Sequence, residues 1–166
     1  MTPGAPKAPP DRIVLVCTGN TCRSPLAEAL LRRELAARGR TELPVTSAGT
    51  GAWEGAPASE GAYLVALEHG LDLSSHRARL LGPGFVGEGD LILAMARHHR
   101  ARILELSPDA RVHLLGEFAG RSGASAEVAD PFGGDLEGYR TTLEELQALT
   151  AAVADRLTGE DPDAGR

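Results

Sequence analysis

Apolar positions along the chain follow two alternating rhythms. Ile13 to Val16 is a short, largely β-branched run with no polar break, which predicts a buried strand over 12–16. Helical spacing takes over soon after: Leu26, Leu30, Leu31 and Leu35 share one face, with Glu28, Arg32, Arg33 and Glu34 largely outside it. This predicts a helix over 25–38, stopped by Gly39. Ser24 suits its N-cap, and Pro25 its first position, where the missing N–H costs nothing. A second strand is expected over 43–47, then a small-residue loop over 48–53 and a helix over 57–69 that ends on Gly70. Residues 74–81 are expected to form a short helix capped by Ser74 or Ser75. Leu91, Ile92 and Leu93 mark a third strand over 90–94, followed by a basic helix over 97–106 with Pro108 beyond its end. A fourth strand falls at 111–115. Residues 116–134, rich in Gly, Ala and Ser, read as a loop with room for one helical turn. The last helix spans 136–157, with Leu143, Leu146, Leu149, Val153 and Leu157 on one face.

This alternation predicts one α/β domain, a four-stranded parallel sheet with helices on both faces. Ligands of such sheets bind at the carboxyl ends of the strands, near a topological switch point. The segments following the four expected strands therefore share one rim: the loop at Cys17, residues 49–53, the region of Met95 and the loop leading to Asp130. The domain is expected over 11–157, between a disordered, proline-rich lead-in at 1–10 and a disordered tail at 158–166. The start lacks a hydrophobic segment and reads as neither signal peptide nor membrane anchor.

Composition narrows the partners. With 42% hydrophobic and 24% charged residues in 166, the chain is ordinary for a soluble globular protein. Its net charge of −6 gives a nucleic-acid partner no electrostatic support. No apolar run approaches the roughly 18 residues that a membrane helix requires. Two cysteines, five positions apart, suggest a reducing compartment, and a cytoplasmic location is expected.

The candidate chemistry lies between the first strand and the first helix, in Cys17-Thr18-Gly19-Asn20-Thr21-Cys22-Arg23-Ser24. A strand–loop–helix junction aims backbone N–H groups and a positive helix end at one point, which favours an anion. A sulfur at Cys17 facing those donors has its thiolate favoured. Arg23 can hold two oxygens of a tetrahedral oxyanion, and Gly19 and Asn20 can accept the positive φ that a tight anion nest needs. Ser24 Oγ is placed to bond the sulfur. The bland reading is a pair of buried thiols beside a helix cap.

Cys-x5-Arg-Ser is the pattern of the cysteine-dependent phosphatases. As VCTGNTCRSP near the start of the chain, it resembles the low-molecular-weight protein-tyrosine phosphatase family. The resemblance implies a phosphorylated protein substrate, phosphate or another tetrahedral oxyanion bound by residues 18–24, Cys17 as nucleophile, Arg23 as clamp, and no metal or cofactor. It also implies a general acid in an Asp-Pro pair before the last helix, where Asp130-Pro131 stands; taken alone, Asp-Pro is more often just a turn. Cys22 is either packing or, as the family implies, the redox partner of Cys17 in a reversible disulfide. His98 and His99 read as solvated helix surface, since adjacent helical residues point about 100° apart.

Within the family, Thr21 and Asp130-Pro131-Phe132-Gly133-Gly134 resemble the bacterial protein-arginine phosphatases, in which that threonine discriminates. A threonine is smaller than isoleucine and leaves room for a planar guanidinium, while Phe132 offers it a stacking wall. Trp53 points toward phosphotyrosine, because the tyrosine-directed members carry a tryptophan in this second loop; a lone Trp is otherwise more often core or edge. Phosphoarginine is the favoured substrate and phosphotyrosine the alternative. A thiol-dependent arsenate reductase would need an external thiol, and a non-catalytic phosphate-binding module would not need Cys17, Arg23 and an acid together.

Overall fold

The computed structural model describes residues 9–159, so the ends expected to be disordered, 1–10 and 158–166, lie largely outside the described residues. Four parallel strands form one sheet: β1 (Arg12–Cys17), β2 (Val45–Gly49), β3 (Asp90–Ala94) and β4 (Arg111–Leu114), in the order β2-β1-β3-β4. Val14 pairs with Thr46 on one side and Ile92 on the other. The chain leaves β1 toward one edge and returns to its other side, so the switch point lies at the carboxyl ends of β1 and β3.

Strand alternation divides the core into two layers. Ile13, Leu15 and Cys17 face one way, onto Leu26, Leu30 and Leu31 of α1 (Arg23–Ala37), Val65 of α2 (Glu60–Glu68) and Leu143 and Leu146 of α5 (Leu136–Leu157). Val14 and Val16 face the other way, onto Ile103 of α3 (Arg97–Leu106). β1 and β3 are sheathed on both faces, which explains their unbroken apolar runs. The helices lie on both faces, as the alternation predicts.

Some boundaries differ for physical reasons. Helix α2 starts at Glu60 rather than 57, because Ser59 accepts a bond from Ala62 N and gives its own N–H to Thr21 O. Residues 74–81 are not helical: Ser74 N–H bonds Asp72 Oδ1 in a turn, and the backbone then pairs sideways. Gly49 N–H donates to Arg79 O, Leu81 N–H to Gly49 O, and Ala78 N–H to Ala56 O. Those partners satisfy the groups that a helix would have paired internally. Leu115 leaves the expected fourth strand to begin the short helix α4 (Leu115–Phe118), and a 3-10 turn follows at Gly123–Ala126.

At the end of β2 the sheet meets the loop of the first junction. A Cβ on Gly49 would stand 2.4 Å from Thr18 O and 2.9 Å from Asn20 N, both backbone atoms. Gly49→Ala must therefore push the loop aside. We expect it to cost about 1–3 kcal/mol, the usual range for overpacking, read as a lowered urea midpoint.

Candidate active site

The junction places Cys17 at the last position of β1 and Arg23 at the first of α1. Cys22 occupies the N-cap position and no side chain caps the helix, so Ser24 is not the cap its type suggests. Pro25 is the third helical residue rather than the first, still within the turn whose N–H groups lack helical acceptors. Of the two residues expected to take positive φ, Asn20 does, at 55°, and Gly19 does not.

Asn20 is fully buried and directs the hydrogen bonds beneath the sulfur. Its Oδ1 accepts from Arg79 N (2.9 Å), which fixes the orientation of the amide. Its Nδ2 donates to Ser24 Oγ (2.8 Å) and to Ser47 Oγ (2.9 Å). Ser24 Oγ, accepting from Asn20, also lies 3.0 Å from Cys17 Sγ, where its O–H can donate to a thiolate. Ser47 likewise donates to Glu28 Oε1 at 2.5 Å. His76 Nε2 reaches Asn20 O at 2.7 Å. A polar cavity of about 460 Å³ opens beside Glu28, Ser47, His76 and Arg79, on the outer end of this network and not on the sulfur.

Arg23 is buried, with Nη1 donating to Val128 O at 2.9 Å and Nη2 lying 3.5 Å from Asp130 Oδ2. Its Nε–H is buried without a partner, a donor suited to an oxyanion in the loop. Val128 N–H bonds Met95 O, so the loop carrying Asp130 is tied to the end of β3 two residues before the carboxylate. Asp130 Oδ1 accepts from Phe132 N (3.0 Å) and from the Cys22 thiol (3.6 Å), while its side chain stays 47% exposed. Burial, with the charges of Cys17 and Asp130, pushes the Cys22 thiol up to about 12. Cys22 is thus a protonated hydrogen-bond donor. Both cysteines are free and buried.

The structure brings Cys17, Arg23, Ser24, Cys22 and Asp130 together, with Thr18, Asn20 and Thr21 on the intervening loop. Thr21 O is pinned by Ser59 N at 2.8 Å. Trp53 and Phe132 are exposed, 84% and 70%, so the tryptophan is not a core residue. His98 is exposed as expected, but His99 is fully buried, with Nε2 lying 2.8 Å from Thr18 Oγ1 and Nδ1 unpartnered. The sequence held one signal for it: His99 precedes buried Ile103 by four positions and shares its helix face. Burial, followed by the nearby His98 and Arg23 charges, pushes its pKa down from 6.5 to about 3. Among the described residues, no three His, Cys, Asp or Glu side chains gather as a metal site, and no helix is long and apolar enough to cross a membrane.

A sequence profile of the low molecular weight phosphotyrosine protein phosphatases matches residues 12–162. The chain belongs to this family. It is 40% identical over 156 residues to the protein-arginine-phosphatase of Geobacillus stearothermophilus, covering 91% of this chain and 99% of that one. It is 35% identical over 150 residues to the low molecular weight protein-tyrosine-phosphatase Wzb of Escherichia coli K12, covering 90% and 97%. Among solved structures, a YwlE arginine phosphatase mutant with a phosphorylated active site serine superposes with a TM-score of 0.81 at 34% identity, over 91% of this chain and 98% of that one. The fold of the phosphatase family is thus the α/β fold described above.

The depressed pKa of His99 has a stability consequence. Above pH 6.5 the imidazole is neutral in folded and unfolded chains alike; below it, the unfolded chain takes the proton first. Stability therefore falls as pH drops from 6.5 toward 3. We expect the melting temperature to decline over that window, and His99→Gln to flatten part of the decline.

Proposed function

We propose that this family member removes phosphate from arginine side chains of phosphorylated proteins through a cysteinyl-phosphate intermediate. One observation carries the reading: the Ser24 hydroxyl on the Cys17 sulfur, the unpartnered Nε–H of Arg23 and the Asp130 carboxylate converge on a single loop. Cys17 Sγ attacks phosphorus as the P–N bond breaks, and the departing guanidine nitrogen takes a proton from Asp130. Arg23 and the amides of residues 18–24 hold the equatorial oxygens, on which charge accumulates. Asp130, now a carboxylate, takes a proton from a water whose oxygen attacks phosphorus. The S–P bond breaks, phosphate leaves, and the Ser24 O–H stabilises the released thiolate. If a peroxide oxidises the Cys17 thiolate to its sulfenic acid, the Cys22 thiol beside it can condense with that group, releasing water, to form a reversible disulfide that spares the nucleophile further oxidation.

The preference for arginine rests on Thr21, on Phe132 standing open to stack on a guanidinium, and on the protein-arginine-phosphatase of Geobacillus stearothermophilus among the relatives. A phosphotyrosine reading is favoured by the exposure of Trp53, free to face an aryl ring, and by the protein-tyrosine-phosphatase relatives. We place the activity in the cytoplasm, acting on phosphoproteins and not on nucleic acid.

Release of phosphate from p-nitrophenyl phosphate is expected to fall about a thousandfold or more in Cys17→Ser and about a hundredfold in Asp130→Asn. Retained activity in Cys17→Ser would refute the assigned nucleophile. Side by side, a phosphoarginine peptide should be turned over faster than a phosphotyrosine peptide. Thr21→Ile should move that ratio toward phosphotyrosine; an unchanged ratio removes Thr21 as the selector.

A further inference from the structure

His99 is a buried titratable group that the mechanism above leaves unused. It lies in the first turn of α3, and among the described residues its side chain's hydrogen-bond partner is Thr18 Oγ1 at 2.8 Å. Thr18 is the residue after the nucleophile and is exposed, so a buried imidazole reaches up to hold a residue on the rim. The other side of Thr18 is held as well: its carbonyl accepts from Gly51 N at 2.9 Å, and Cys17 O accepts from Thr50 N at 3.0 Å. The loop's first peptide is thus clamped between the segment after β2, through backbone, and α3, through a side chain.

The unpartnered Nδ1 decides which way the bond runs. A buried N–H without an acceptor costs more than a buried lone pair without a donor. The proton therefore resides on Nε2, which donates to Thr18 Oγ1, and Nδ1 stays bare.

We propose that His99 is a positioning residue for the reaction: its Nε2–H bond to Thr18 fixes the first peptide after the nucleophile, and with it the aim of the loop amides at the bound oxyanion. This rests on the phosphatase reading above. Positional errors near one ångström in such a cradle cost up to about a hundredfold in rate.

The test is a double-mutant cycle read with p-nitrophenyl phosphate turnover and orthovanadate inhibition. Thr18→Val keeps the shape and removes the hydroxyl, and His99→Leu removes the donor. Each should lower kcat about tenfold and weaken vanadate to a similar degree, with KM changed less. The double variant should be no worse than either single one. His99→Gln, whose amide still donates, should recover most of kcat, and ¹⁵N shifts of the wild-type imidazole should report a protonated Nε2 and a bare Nδ1. Fully additive losses, wild-type kcat in Thr18→Val, or a proton on Nδ1 would each overturn the proposal. If His99→Leu fails to fold, Thr18→Val decides alone. A wild-type chain inactive on p-nitrophenyl phosphate would instead overturn the phosphatase reading itself.

Discussion

Asn20 sits at φ 55° with no exposed surface, and its side-chain amide gives hydrogen bonds to Ser24 and Ser47 while taking one from Arg79 N. A left-handed backbone costs an L-residue roughly 1–2 kcal/mol, less for asparagine, which tolerates it. Three buried hydrogen bonds at about 0.5–1.5 kcal/mol each offset that cost. The strained residue is thereby held in place, and it turns the chain between Cys17 on β1 and Arg23 on α1. Asn20 thus anchors the Ser24 hydroxyl that lies 3.0 Å from the Cys17 sulfur, so a backbone constraint fixes the polar group beside it.

The sheet supplies the rest of the geometry. β1 and β3 are neighbours buried on both faces, so their carboxyl ends cannot drift apart. One delivers Cys17; the other delivers Met95, whose carbonyl holds Val128 and so the loop of Asp130. Gly49 at the end of β2 closes the third side by letting two backbones pass within contact. Flexible connections thus converge because each is pinned at one point to a rigid strand end.

Much of this was legible in the residues, and the failures have physical causes. The apolar runs of β1 and β3 and the leucine stripes of α1 and α5 were readable because burial on one or two faces leaves a local pattern. Residues 74–81 carry helix-compatible local chemistry, but their backbone partners, Gly49 and Ala56, are distant in sequence and leave no local trace. Ser24 has the side chain of a good cap, yet its hydroxyl is claimed by the sulfur and Asn20. Two adjacent helical histidines point different ways without revealing which one faces the loop, and so both read as surface. The spacing of His99 from Ile103 was the clue, and it was weak on a helix with few apolar residues. The strand–loop–helix junction together with the family resemblance pointed to Cys17 and Arg23, and the common rim of the strand ends placed the Asp130 loop near them; the 3.5 Å approach of Asp130 Oδ2 to Arg23 Nη2 across more than a hundred residues left no local trace.

The bond from Arg23 Nη1 to Val128 O gives the guanidinium a second duty. It is a structural strut for the segment that carries Asp130 as well as a counter-charge. Truncating it would slacken two loops at once, so on the proposed mechanism the rate lost on its removal sums a missing charge and a displaced Asp130. A lysine in its place would return the charge without the fork needed to grip both oxygen and carbonyl, and the gap between those two substitutions measures how much of the arginine's worth is scaffolding.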